Sequence, residues 1–176
     1  HTRFKCDWSS DVCSSDLALQ YADYAVWQHD RNKTEDFSRQ LDFWRSQLAG
    51  ELPRLEVPGD RPRRAVPTHA GSMEVFELAE PLIDRLKEIA RAEGATLYMV
   101  LLAAYKAMLF RYTGDTDIIV GGVTDTRRRP ELQPLMGYFL NTMALRTQPN
   151  GQAPFRDYLQ QVKRSVIGAL GASDIP

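Results

Sequence analysis

Cysteine and histidine are scarce in this chain, with two and three copies among 176 residues. Both cysteines, Cys6 and Cys13, fall within the first seventeen residues. From Ala18 onward no disulfide, thiol nucleophile or cysteine zinc site can be built. His29 and His69 each stand without a second His, Cys or carboxylate at metal-ligand spacing, so no metal is implied. No run of eighteen apolar residues is present, which argues against a membrane span. No charged start leads into an apolar block, so a secretory leader is not indicated and a cytoplasmic location is the default. The formal net charge is −1, too balanced for a field that would draw nucleic acid. The clusters Arg61, Arg63, Arg64 and Arg127–Arg129 accordingly read as solvated loop charges. No glycine-rich phosphate cradle and no nucleophile elbow surrounds any serine. Taken residue by residue, the chain carries no catalytic constellation.

Residues 1–17 stand apart. Cys6-Asp-Trp-Ser-Ser-Asp-Val-Cys-Ser-Ser-Asp-Leu17 has neither a hydrophobic period nor turn or cap logic. It is the in-frame translation of a common short-read sequencing adapter, and His1–Arg3 fits the bases that precede the adapter's variable index. The expectation is that 1–17 is not native. Without Arg3, Lys5, Asp7, Asp11 and Asp16, basic and acidic residues are equal in number.

The remainder alternates helix-like and strand-like stretches. Thr34 caps a helix reaching about Ala49, with Phe37, Leu41, Trp44 and Leu48 on one stripe and Gly50 as its stop. Leu52–Pro67 contains Pro53, Pro58, Pro62 and Pro67 and reads as an extended connector. Ser72–Leu78 is a candidate strand. Pro81 opens a helix with Leu82, Ile83, Leu86, Ile89 and Ala90 on one face, ended by Gly94. Thr96 caps the next, whose body Leu97–Phe110 is apolar nearly all round apart from Lys106 and should be buried on most sides; Gly114 closes it. Asp117–Val123 reads as a buried strand, Arg127–Pro134 as a polar loop and Phe139–Arg146 as a second strand. Pro154 opens a last helix with Phe155, Tyr158, Leu159, Val162, Val166 and Leu170 on one face. Strands separated by helices favour an α/β sandwich over a helical bundle.

Two stretches are more specific. Tyr21-Ala-Asp-Tyr-Ala-Val-Trp-Gln28 resembles the YxD(F/Y)AVWQ motif of condensation domains from nonribosomal peptide synthetases. Met136-Gly-Tyr-Phe-Leu-Asn-Thr-Met-Ala-Leu-Arg146 resembles the later IGxFVNTxxxR motif, in the order and at the separation that family shows. The resemblance implies a two-layer sandwich of the chloramphenicol acetyltransferase-like type, mostly the second lobe. Residues 18–50 would end the first lobe, 51–70 connect the lobes, and 71–176 form part of the second. It also implies amide-bond formation between a donor acyl or peptidyl thioester and an acceptor aminoacyl thioester. Both would ride on the phosphopantetheine of carrier domains, beside an adenylation domain, with no cofactor bound by this chain itself.

By the same resemblance Tyr21, Asp23, Tyr24, Trp27 and Arg146 are structural motif residues. Tyr24 and Trp27 would pack as core or lobe-interface aromatics, Asp23 would accept hydrogen bonds, and Arg146 would pair with a carboxylate. Tyr138, Asn141 and Thr142 would either line the substrate channel or form a structural polar network. The family's HHxxxDG motif belongs upstream of Tyr21 and is not in the chain. Ala172–Pro176 resembles the start of HQDxPFE, with Ala172 in place of His and Ser173 in place of Gln. Both ends are thus expected to be assembly boundaries, and the isolated chain is expected to be inactive. Phe139-Leu-Asn-Thr142 fits an ordinary or N-acylating starter subtype. Two rival readings are a non-catalytic docking module and a free-standing acyltransferase of the same superfamily. Long-read sequencing across the locus checks the reading of residues 1–17: a different native frame before Ala18 is expected, and the same codons in genomic DNA would overturn it.

Overall fold

The structure, a computed structural model, describes residues 17–59, 66 and 71–175. Arg61, Arg63, Arg64, His69 and the segment 1–16 lie outside the described residues. The element order is α1 (Tyr21–Arg31), α2 (Glu35–Gln47), α3 (Glu80–Ala92), α4 (Leu97–Thr113), β1 (Ile118–Asp125), a 3-10 turn (Pro130–Leu132), β2 (Leu140–Thr147) and α5 (Phe155–Gly171). Residues cluster into two units, each discontinuous in sequence. Of the described residues, the first holds those up to Gln47, Gly122–Met143 and those from Leu170; the second holds those within Leu48–Gly121 and Ala144–Ala169. β1 and β2 are hydrogen-bonded neighbours. The Thr126 amide, just past the end of β1, donates to the Phe139 carbonyl, just before β2, at 2.8 Å. The end of one strand therefore meets the start of the other, and the pair is antiparallel.

Local chemistry fixes the helix starts. The Thr34 hydroxyl accepts from the Phe37 amide at 3.3 Å, and the Thr96 hydroxyl accepts from the Met99 amide at 3.2 Å. Gly114 closes α4 at φ 77, a left-handed conformation that glycine adopts without a Cβ clash. The first motif is itself helical, as α1, and His29 lies in its last turn. At its start the Gln20 amide donates to the Asp23 carboxylate at 2.8 Å, half of a capping box. α5 buries Tyr158, Leu159, Val162, Val166 and Ala169. Phe155 and Leu170, read onto that face, are exposed instead.

Three expectations are corrected. Ser72–Leu78 forms no strand: no neighbouring strand pairs with it among the described residues, and Met73, Val75 and Phe76 are 86%, 82% and 78% exposed. Extended backbone becomes a strand through cross-strand pairing, which this segment lacks. On α3 only Ala90 is buried, and Leu82 and Ile89 are exposed. Along α4, Met99, Val100, Leu102, Ala103, Lys106 and Leu109 are buried, whereas Tyr98, Leu101, Tyr105, Met108 and Tyr112 form an exposed stripe. A helix apolar all round needs cover on all sides, and the described residues cover one. No single helix among them is long and apolar enough to cross a membrane, and α3 and α4 are bent by 103° at their junction.

Lys106 inverts the sequence reading of α4. The one charged residue of the apolar stretch Leu97–Phe110 is fully buried. Its ammonium donates to the Leu145 carbonyl at 2.5 Å, the Thr147 hydroxyl at 2.8 Å and the Ile118 carbonyl at 3.3 Å. Three protons meet three neutral acceptors, so the second unit ties α4 to both strands through one side chain. The Thr147 hydroxyl also lies 2.9 Å from the Tyr158 hydroxyl on α5. Burial pulls Lys106 down from 10.5 to about 8, opposed by the nearby Asp117 carboxylate. Burial pushes the Tyr158 phenol up, against the bond to Thr147.

Between pH 8 and 10.5 the unfolded chain holds the Lys106 proton that the folded chain has released. Stability should therefore rise with pH across that window, and Tyr158 turns the trend downward once the unfolded phenol ionises. Urea midpoints measured at about pH 7.5 and about pH 9.5 check this. The midpoint should be higher at the upper pH, and the difference should vanish in Lys106→Met.

Candidate functional site

The first unit brings the two sequence motifs together. Spacing along α1 sets Tyr21, Tyr24 and Gln28 on one side of the helix. Tyr24 is buried with Leu132, Leu135 and Phe139 in one cluster, against which Leu17 and Trp27 pack. Its ring centroid lies 4.8 Å from that of Phe139 and 5.8 Å from those of Tyr21 and Trp27. Tyr21 meets Phe139 edge-on, at 5.4 Å and 86°. Such tilted and edge-to-face contacts suit the aromatic quadrupole.

Hydroxyl groups complete the packing. The Thr126 hydroxyl donates to the Phe139 carbonyl at 2.8 Å, so its single proton is used. The Tyr24 hydroxyl, 3.4 Å away, must then donate to Thr126. The Tyr21 hydroxyl donates to the Tyr138 carbonyl at 3.0 Å, across 117 positions of sequence. Gly137 is required by the same approach: a Cβ there would fall 2.1 Å from Cδ2 of Tyr21.

Above this cluster opens a cleft of about 250 Å³, lined by Tyr21, Tyr24, Gln28, Thr126, Tyr138, Leu140, Asn141 and Thr142. A second, more apolar pocket of about 280 Å³ is lined by Asp23, Tyr24, Trp27, Arg129 and Glu131 with Leu19, Leu132 and Leu135. Thus Tyr21, Tyr24, Tyr138, Asn141 and Thr142 share one cleft, while Asp23 and Trp27 line the other. Arg146 belongs to the second unit. It binds Asp117 through Nε at 3.0 Å and Nη2 at 2.6 Å, which holds its proton more tightly than usual. It also donates to the carbonyls of Ala49 at 2.9 Å and Glu51 at 3.3 Å, fixing the chain after α2.

Asn141 is fully committed. Its Oδ1 accepts from the Thr142 amide at 2.8 Å. Its Nδ2 donates to the Ser173 carbonyl at 2.9 Å and the Ile175 carbonyl at 2.5 Å. Both protons and the oxygen are used, which fixes the orientation of the amide. Tyr138, by contrast, is 72% exposed, and Thr142 is exposed on the same wall of the cleft.

The segment 172–175 collects further partners. Trp44 donates its indole proton to the Ala172 carbonyl at 2.7 Å. Arg128 donates to the Leu170 carbonyl and to the Ser173 hydroxyl. The Asp174 carboxylate receives Arg31 and Gln40, each at 2.9 Å, and the Asp174 amide donates back to Gln40 at 3.1 Å. Arg31 and Gln40 also bind Asp36, at 3.1 and 3.0 Å. The bonds from Gln40 and then Arg39 hold the Asp36 carboxyl below its ordinary range.

Sequence reading missed Arg31, Gln40 and Asp174. Gln40 carried a signal, since it interrupts the Phe37–Trp44 stripe and is the buried residue of α2. The solvated reading of Arg127–Arg129 is corrected as well. Arg127 lies 4.2 Å from the Phe139 ring centroid and donates to the Leu135 carbonyl at 3.1 Å. Arg129 lies 4.8 Å from the centroid of Trp27.

The cleft offers hydroxyls and amides that can bind and orient a polar chain. It offers no side chain that takes up or releases a proton near neutrality. Among the described residues no group of three or more His, Cys, Asp or Glu could hold a metal ion.

The sequence model of the Condensation domain family matches residues 7–176. The chain is 41% identical over 160 residues to tyrocidine synthase 3 of Brevibacillus parabrevis, covering 91% of the chain and 2% of that protein. It is 42% identical over 160 residues to surfactin synthase subunit 1 of Bacillus subtilis (strain 168), covering 91% of the chain and 4% of that protein. The chain thus spans only a few hundredths of the length of these relatives. The X-domain from teicoplanin biosynthesis, solved in complex with OxyB, superposes with a TM-score of 0.83 at 30% identity, over 91% of this chain and 36% of that one.

The contact between Gly137 and Tyr21 can be tested by substitution. Gly137→Ala should destabilise the chain by about 1–3 kcal/mol through overpacking. In a Tyr21→Ala background the same change should cost much less, as read from urea midpoints in a double-mutant cycle. Equal costs in both backgrounds would refute the contact.

Proposed function

Because this chain belongs to the condensation-domain family, with the α/β, chloramphenicol acetyltransferase-like fold of that family, we propose that its parent joins two carrier-bound substrates through an amide bond. The amine of an acceptor aminoacyl thioester attacks the carbonyl of a donor acyl or peptidyl thioester. The new C–N bond forms as the C–S bond breaks, and the amine proton passes through a base to the departing sulfur, so that the donor arm leaves as its thiol. Nonribosomal peptide synthetases carry such substrates on phosphopantetheine, which belongs to the partner carrier domains. An adjacent adenylation domain would load the acceptor, and the assembly would work in the cytoplasm.

The observation that carries this reading is the convergence of both motifs on one cleft. Tyr21 and Tyr24 supply one wall, Tyr138, Asn141 and Thr142 the other. In this role the exposed Tyr138 and Thr142 would touch the substrate channel, and Asn141 would hold its wall in place. Residues 18–50 would close the first lobe, 51–70 connect, and 71–176 build part of the second, with 1–17 not native. The proton acceptor would be supplied by the HHxxxDG stretch of the parent, since the cleft itself has no base and His29 is exposed.

A second reading, a docking module without catalysis, draws on the teicoplanin X-domain, whose structure holds OxyB as partner. One assay separates the two. With donor and acceptor loaded on carriers, the complete parent domain should form the amide product and the 176-residue chain alone should form none. A parent that binds its partners yet makes no product would favour docking. Product formed by the isolated chain would overturn the assignment of the base.

A further inference from the structure

Three features take no part in the reaction as proposed: the exposed stripe of α4, the pocket beside Trp27, and the polar node around Asp174. Nothing in the structure identifies what covers the stripe. The pocket mixes Arg129 with Asp23 and Glu131, so its charge selects no ligand. The node carries an inference.

We propose that Asp174 is a positioning residue that sets the wall of the cleft through Asn141. The proposal rests on the function argued above. Asp174 sits between the two carbonyls, of Ser173 and Ile175, that the Asn141 amide bridges. Any turn of the backbone at position 174 moves both acceptors at once. Two opposed contacts prevent that turn. The carboxylate is held by Arg31 and by Gln40, each at 2.9 Å, and the amide of the same residue donates to Gln40 at 3.1 Å. Gln40 therefore grips Asp174 at both ends, with a buried side chain whose oxygen and nitrogen are both used. Arg31 is in turn shared with Asp36 at 3.1 Å, which limits its own freedom.

From Asn141 the constraint passes to the cleft, because its Oδ1 holds the Thr142 amide at 2.8 Å. Arg31 and Gln40 come from α1 and α2, whereas Asn141 and Thr142 come from β2. Asp174 thus lets two helices dictate the position of a strand that lines the cleft. The negative charge is part of the design. An amide at position 174 would keep the acceptor for Gln40 but turn an N–H toward the guanidinium of Arg31.

The test uses the complete synthetase that contains this sequence, with both carriers loaded. Asp174→Ala and Asn141→Ala should each lower the turnover of amide formation by about tenfold or more while half-saturation by the acceptor carrier changes by less than about twofold. The double variant should be no slower than either single one, because both act through one linkage. Asp174→Glu should recover part of the rate. Wild-type turnover in Asp174→Ala, or losses that multiply in the double variant, would overturn the proposal.

A second readout needs no activity. In the purified chain the side-chain amide of Asn141 should lose its protection from hydrogen exchange in both Asp174→Ala and the nearly isosteric Asp174→Asn. Backbone signals around Lys106 should stay unchanged, which reports that the second unit is intact. Retained protection in both variants would overturn the proposal as well. A wild-type synthetase that forms no amide would instead defeat the functional reading, and the exchange measurement would still decide the role of Asp174.

Discussion

The contact between Tyr24 and Phe139 is the constraint on which the first unit is built. It buries two aromatic rings from distant parts of the chain at a centroid separation of 4.8 Å. Because ring burial removes large apolar areas from water, it supplies the driving force that the small polar contacts around it lack. Once the rings are in place, the Tyr24 hydroxyl has only Thr126 to reach, the Tyr21 hydroxyl has the Tyr138 carbonyl, and Gly137 must stay bare. The cleft is the space left above that packing. Its walls are tied by hydrogen bonds on the Tyr21 and Asn141 sides, while the Tyr138 side chain is exposed.

The second unit solves a different problem by different means. A two-stranded sheet is marginal without further support. Here Lys106 supplies part of that support by bonding to both strands and, through Thr147, reaching Tyr158 on α5. A buried ammonium is costly, which is why its proton is held less tightly than in water. Arg146 does comparable work nearer the surface, where the bidentate pair with Asp117 leaves donors for the backbone after α2. The two cations mark the difference between a buried charge met by neutral acceptors and a half-buried one met by a carboxylate.

The helices were legible where caps and breakers punctuate the chain. Thr34, Thr96, Gly114 and Pro154 mark boundaries within a residue or two of those observed. Both strands were legible from short apolar runs, although β1, read as buried, buries only Ile118 and Gly122. Ser72–Leu78 was misread because a short stretch of sequence records at most a preference, and pairing needs a neighbour that the stretch itself does not supply. α4 was misread because composition records how apolar a helix is, not how many of its sides are covered. The motifs gave the cleft residues, yet not the grip on 172–175. Arg31, Gln40 and Asp174 are ordinary polar residues whose significance lies in meeting across 134 positions of sequence.

What the sequence determined by itself was kinship and local form. Eight residues from Tyr21 and eleven from Met136 carried the family, because they specify rings, hydroxyls and a glycine at fixed intervals. Helix caps carried the boundaries, because they are satisfied within one turn. Tertiary structure alone decided which polar groups are buried, which apolar faces are bare, and which side chain holds which carbonyl. Those outcomes depend on partners far away in the chain. Lys106 shows the reason most plainly: nothing within a helical turn of it reveals that three acceptors from two strands wait at its end.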